Sequence, residues 1–148
     1  ITIEEAIEVV EARIALESLA AGYAAVRRTD GEARELFALI TEMQDLQASG
    51  EFLEMSARNG VLHRRVLEIS RHHVAIEICG RLHSQLVRFQ FRTVLAPGRP
   101  ARSVAEHRAV VSAISEGDRD EAEAAMQTHL SHVADVLLDI ARRERQAS

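Results

Sequence analysis

The chain has no lysine and no tryptophan, one tyrosine, one cysteine and two prolines. Each shortage excludes something. With Cys79 as the only thiol, no internal disulfide can form, and the ordinary role of such a residue is a small buried hydrophobe. Two prolines and seven glycines in 148 residues leave little punctuation for a strand-and-turn fold. Aromatics make up 3% of the chain, so the core must be aliphatic and alanine-rich. No apolar run approaches the roughly 18 residues of a membrane span, and no signal-peptide pattern opens the chain. A cytoplasmic setting is expected. All 18 basic residues are arginine, against 23 acidic ones, for a formal net charge of −5. Without a long basic stripe interleaved with aromatics, such a segment is a poor nucleic-acid binder on its own. The first residue is Ile1 rather than a methionine, and the segment is expected to belong to a longer protein.

What is present is helical. The 148 residues, 47% of them hydrophobic, suffice for one domain with a real core. Long runs of Ala, Glu, Arg and Leu predict six helices. The first runs from about Ile3 to Arg28 behind a Thr2–Glu5 capping box. The second is capped by Asp30 and runs to about Ala48. The third spans about Glu51 to Ser70, and the fourth about His73 to Val94. After the Ala96–Pro100 loop, Ser103 and Glu106 form a capping box that starts the fifth, and Gly117 ends it. Asp118 caps the sixth, which runs to about Arg145. Short links between long amphipathic helices predict an all-α antiparallel bundle.

Polar residues interrupt three of the core-facing stripes. Asn59 and His63 lie among Phe52, Met55, Leu62 and Val66 on helix three, stacked one turn apart. His107 lies among Val104, Val111 and Ile114 on helix five. His129 lies among Ala122, Met126, Val133, Val136 and Ile140 on helix six, with His132 on the stripe's edge as a supporting or substitute ligand. Burying such groups unsatisfied costs roughly 2–7 kcal/mol each. A lone core histidine bonded to a backbone carbonyl is unremarkable. Three with an asparagine on separate helices indicate a shared pocket, and converging imidazoles are typical transition-metal ligands. On helix one, Arg13 and Glu17 are four apart and can pair, or Arg13 can grip a carboxylate with its fork. His72 and His73 sit at a helix junction, where capping or exposure is the default. His83, Arg88 and Arg92 of helix four are weaker candidates for the cavity.

These motifs resemble the FCD effector domain, the C-terminal ligand-sensing domain of FadR-subfamily GntR transcription regulators. Glu11-Ala-Arg13-Ile-Ala-Leu-Glu17 is similar to that family's Arg-x3-Glu segment. Asn59-Gly-Val-Leu-His63 stands at its Asp-x3-His. Glu106-His107, Ala113-Ile-Ser-Glu-Gly117-Asp118 and Met126-Gln-Thr-His129-Leu130 follow its C-terminal elements in order and spacing. The resemblance covers essentially residues 1–148. It implies a helical bundle around a central ligand and metal cavity, acting as one effector-binding and dimerisation domain. It also implies a homodimer, with a winged helix-turn-helix upstream as the only contact with DNA.

Carried over residue by residue, the resemblance implies a divalent metal, zinc or nickel, on His63, His107 and His129, with Asn59 in the aspartate's place. Asn59 supplies a neutral carbonyl oxygen where the family has a charged one. The effector implied is a small organic acid held by Arg13; Glu17, Arg88 and Arg92 are further candidate effector contacts by their place on helices one and four, not by the resemblance. The expected role is sensing rather than catalysis. The alternative is a small metal-dependent hydrolase or lyase on the same three histidines, with Glu17 as its base. A bundle that only dimerises is a third reading. A di-iron carboxylate bundle is excluded, because no histidine has a glutamate three residues before it.

Overall fold

The computed structural model describes residues 1–148. Its elements are α1 (Ile3–Arg27), α2 (Asp30–Ala48), α3 (Phe52–Ser70), α4 (His73–Val94), α5 (Arg99–Glu116) and α6 (Arg119–Ala147). The all-α expectation holds, and α1 is the central helix, packing against α3, α4, α5 and α6. Thr2 and Glu5 form the capping box of α1, and Asp118 caps α6, as the sequence predicts. Thr29, not Asp30, caps α2, in a second capping box with Glu32. His72 caps α4, accepting from the Ala75 N–H at 3.1 Å. No helix is long and apolar enough to cross a membrane.

Two expectations change. Helix α5 starts one turn before the anticipated Ser103 cap, at Arg99, behind Gly98 in the left-handed region at φ 74°. Pro100 sits in its first turn, where its missing N–H costs nothing and its ring pre-sets φ. Ser103 is therefore inside the helix, and Glu106 is released from capping. On α6 the buried stripe turns after His129. Ala134, Leu137 and Ala141 are buried there, while Val133, Val136 and Ile140 are only partly covered. The small Ala134 and Ala141 side chains let α6 lie close to α1 along their length.

Alanine is what permits this packing. Ala20, Ala21, Ala24 and Ala25 of α1 are all at most 3% exposed. The apolar core falls into two main clusters along α1. One gathers Ala21–Ala25 with Leu36, Ile40, Met55, Leu62, Ile114 and Met126. The other gathers Ala6 and Val10 with Leu86, Phe89 and Leu137. Arg13 and Glu17 lie between these two stretches of α1, and a polar layer there separates the clusters.

Candidate functional site

Five helices contribute to that layer. Arg13 and Glu17 come from α1, Asn59 and His63 from α3, His83 from α4, Glu106 and His107 from α5, and His129 from α6. His63, His107 and His129 are 3%, 1% and 2% exposed, and Glu17 is 1% exposed. These are burial levels of a hydrophobic core.

Each histidine is held by its Nδ1. His63 Nδ1 lies 2.8 Å from Glu17 Oε1, His107 Nδ1 2.6 Å from the Ser103 carbonyl, and His129 Nδ1 2.8 Å from Glu106 Oε1. A carbonyl oxygen only accepts, and so does an ionised carboxylate. All three Nδ1 atoms therefore carry the proton and donate it. The consequence is on the other side of each ring. His63 Nε2 lies 3.0 Å from His107 Nε2 and 3.2 Å from His129 Nε2. With the protons at Nδ1, these contacts join bare lone pairs and are not hydrogen bonds.

The titration directions agree with that tautomer. Burial pushes the His63 pKa down, against the opposing pull of Glu17. Burial and the neighbouring His129 and His63 rings push His107 well down. Burial takes His129 to about 4, although its bond to Glu106 works the other way. Burial alone would raise the Glu17 carboxyl, but Arg13 and His63 hold it well below the usual range. Glu106 is likewise lowered, since its bonds to His129, Arg99 and His132 outweigh burial. The neutral rings and ionised carboxylates are the forms at pH 7.

An acid-stability prediction follows. Because the folded imidazoles titrate below the ordinary 6.5, the unfolded chain takes up protons first as pH falls. Stability of the metal-free domain should then decline from about pH 6.5 downward, and further below about 4.5, where Glu17 and Glu106 take up protons in the unfolded chain before they do in the folded one. Urea midpoints measured from pH 8 to pH 5 check this. A midpoint as high at pH 5 as at pH 7.5 contradicts neutral, buried imidazoles.

A cavity of about 580 Å³, its solvent-open mouth included, lies beside the histidines. Arg13, Asn59, His63, His83 and His129 reach its wall, whereas His107 lies behind them. The Asn59 Oδ1 is buried without a hydrogen-bond partner. An orphaned acceptor of this kind normally signals a missing neighbour.

The structure thus brings Asn59, His63, His107, His129 and Arg13 to one place. Glu17 is adjacent but faces away from the cavity, with its oxygens engaged by Arg13, His63 and His83. Arg88 and Arg92 lie outside, on the exposed face of α4. Arg88 donates to the Ile1 carbonyl at 2.9 Å, and Arg92 pairs with Glu144. His132 donates to Glu106 Oε2 at 2.7 Å and does not join the facing Nε2 atoms. Cys79 is fully buried, and burial raises its thiol to about 12, so it is inert at neutral pH.

Glu106 is the residue that the helix-capping pattern hid. Besides holding His129 and His132, it receives the Arg99 fork at 2.9 and 2.6 Å. Arg99 is only 5% exposed, although the Pro97–Pro100 sequence around it predicts a loop. The signal available was the seven-residue spacing from Arg99 to Glu106, two turns on one helix face.

A family model for the FCD domain matches residues 8–132. The chain belongs to the FCD domain family. This FCD domain is 27% identical over 139 residues to the HTH-type transcriptional regulator LutR of Bacillus subtilis (strain 168), covering 90% of the chain and 63% of LutR. Its fold is similar to that of E. coli McbR/YncC, with a TM-score of 0.81 at 16% identity, over 90% of this chain and 64% of the other. Streptococcus agalactiae GntR superposes with a TM-score of 0.75 at 20% identity, over 88% of this chain and 58% of the other. The FCD domain here thus spans less than two thirds of the length of each of these proteins.

Proposed function

We propose that this FCD domain is the effector-sensing part of a GntR-type transcription regulator. It binds a small carboxylate beside a divalent metal held by His63, His107 and His129. The observation that carries the metal is the convergence of three Nε2 lone pairs whose protons are locked on Nδ1. Two nitrogens on one ion at about 2.0–2.1 Å stand roughly 2.9–3.4 Å apart at octahedral or tetrahedral angles, which brackets the observed 3.0 and 3.2 Å. Without a cation, three facing lone pairs in a buried site repel one another. Carboxylate or carbonyl acceptors on the far ring nitrogen are also the usual support for ligating histidines. Asn59 fits as a weak oxygen donor, since its Oδ1 has no other partner.

Three imidazoles and an amide oxygen are all neutral, so zinc or nickel suits the set better than magnesium or calcium. A bound ion supplies positive charge and open positions that favour an anionic ligand. Arg13 supplies the second attraction. Its Nε pairs with Glu17, which orients the guanidinium, and its remaining N–H groups can meet a carboxylate at the cavity wall. Effector binding regulates only if the two states of the protein bind it with different affinity. The DNA contacts belong to a winged helix-turn-helix outside this segment, and the working unit is a homodimer.

The hydrolase or lyase reading loses its base. Glu17 is fully engaged and its carboxyl sits well below the usual range, so it is a poor proton acceptor.

Metal analysis of purified protein, and of protein exposed to Zn²⁺ or Ni²⁺, tests the proposal, with about one ion per chain expected. Asn59→Asp should tighten that ion about tenfold or more, by adding a formal charge to the oxygen donor. Absence of any ion refutes the metal, and unchanged affinity in Asn59→Asp removes residue 59 from the ligand set.

A further inference from the structure

The cavity lining is of two unlike kinds, and their chemistry narrows the ligand. One set is polar: Arg13, Asn59, His63, His83 and His129. The other is apolar: Val10, Leu86, Phe89, Leu130, Val133 and Leu137. Five of these six are at most 7% exposed. All but Leu130 belong to or pack against the second core cluster, and the six are carried on three helices.

The polar set offers fewer free groups than its residue count suggests. The His63 and His129 Nδ1 protons go to Glu17 and Glu106, and His83 Nε2 is 3.2 Å from Glu17. Two further polar residues line the cavity, Gln90 and Thr93, and both spend their donors within the protein. Gln90 Nε2 donates to the Ser56 carbonyl at 3.0 Å, and Thr93 Oγ1 to the Gln90 carbonyl at 2.8 Å. The outer guanidinium nitrogens of Arg13 are the one cationic donor set the side chains leave free at the wall, beside the unpartnered Asn59 Oδ1. No second arginine or lysine reaches the wall, because Arg88 and Arg92 are turned outward.

We infer that the ligand is a monocarboxylate with a short apolar tail: Arg13 takes the carboxylate, and the wall of Val10, Leu86, Phe89, Val133 and Leu137 takes the tail. Arg13 and the metal both serve the head group, so a second carboxylate along that wall meets no further cation, and a row of tail hydroxyls finds only Gln90 and Thr93 among apolar side chains. Dicarboxylates and sugar acids are thereby disfavoured. The inference rests on the carboxylate-sensing reading above and adds the tail.

Isothermal titration of zinc-loaded protein with four 2-hydroxy acids tests it, because the head group stays constant. The probes are glycolate, malate, gluconate and 2-hydroxy-4-methylpentanoate. The last is expected to bind at least about tenfold more tightly than the other three, given the transfer free energy of its buried methylenes and methyls. Malate or gluconate binding as tightly, or glycolate matching the branched acid, overturns the apolar tail and leaves carboxylate sensing standing. If none of the four binds, both readings fall. Val133→Thr keeps the side chain's shape while adding a hydroxyl to the wall, at a partly exposed position that tolerates it. It should narrow the ratio of branched-acid to glycolate affinity by about fivefold; an unchanged ratio counts against the wall as the tail site.

Discussion

His107→Ala should lower Zn²⁺ or Ni²⁺ affinity by roughly 100- to 1000-fold. Structural zinc sites bind with about 10–16 kcal/mol from four ligands, or roughly 3–4 kcal/mol for each. At about 1.4 kcal/mol per factor of ten, that is two to three orders of magnitude. His107 is the most telling of the three to remove. It lies behind the cavity wall rather than on it, so its loss acts on the metal and not on a direct effector contact. Competition titration against a chelator of known affinity measures the change directly. Wild-type protein at 100 times the metal dissociation constant should gain about 2.7 kcal/mol of stability, and the variant at the same metal concentration much less. Circular dichroism separates metal loss from unfolding, since truncation also empties the space of a fully buried ring. A folded His107→Ala protein that binds metal as tightly as wild type rules out His107 as a ligand.

Glu17→Gln should be the most damaging change that preserves side-chain shape. Glu17 is 1% exposed and faces three partners: Arg13, His63 and His83. Arg13 is itself largely buried, with a side chain 11% exposed. Removing the negative charge leaves that guanidinium uncompensated, and breaking one side of a buried pair costs about 3–5 kcal/mol. Metal affinity should fall as well, by about 10–100-fold, because an amide oxygen holds the His63 Nδ1–H less firmly than a carboxylate. Chemical denaturation and metal titration read the two effects separately. The double variant Arg13→Met with Glu17→Gln should recover part of the stability but not the metal affinity. A single variant within about 0.5 kcal/mol of wild type would mean that Arg13 reaches water and that Glu17 is not its essential counterion.

The two variants also show why parts of the site were legible and others were not. His63, His107 and His129 stood out because each interrupts an apolar stripe, and a stripe is a local property of 3.6-residue periodicity. Asn59 was visible for the same reason. Glu17 was visible as a misplaced charge, yet its job was not. Whether a buried carboxylate faces a ligand or a histidine from another helix depends on α3 meeting α1, forty-six residues away in sequence. Ser103-x-x-Glu106 is a genuine capping signal and predicts a capping role for Glu106. The start of α5 at Arg99 overrode it. Arg88 and Arg92 are candidates for the cavity by charge, and the rotation of α4 turns them to the surface.

Much of this domain is written locally. An aliphatic, alanine-rich chain with caps at Thr2, Thr29 and Asp118 makes long helices wherever it is put. Their apolar faces require a bundle, and its interrupted stripes require a polar layer inside. Those conclusions need only helix geometry and the cost of burying polar groups. Tertiary structure decided the rest, because it depends on which faces meet. It set the proton on the Nδ1 of His63 and His129 by giving each ring its acceptor, turned three Nε2 atoms toward one point, and committed Glu17 and Glu106 to holding imidazoles. It also brought apolar side chains of α1, α4 and α6 into one cavity with Arg13. The His107 tautomer is set within α5 by Ser103, but the tautomers of His63 and His129, the convergence of the three rings and the mixed lining of the cavity are relations between helices, and no single helix carries them.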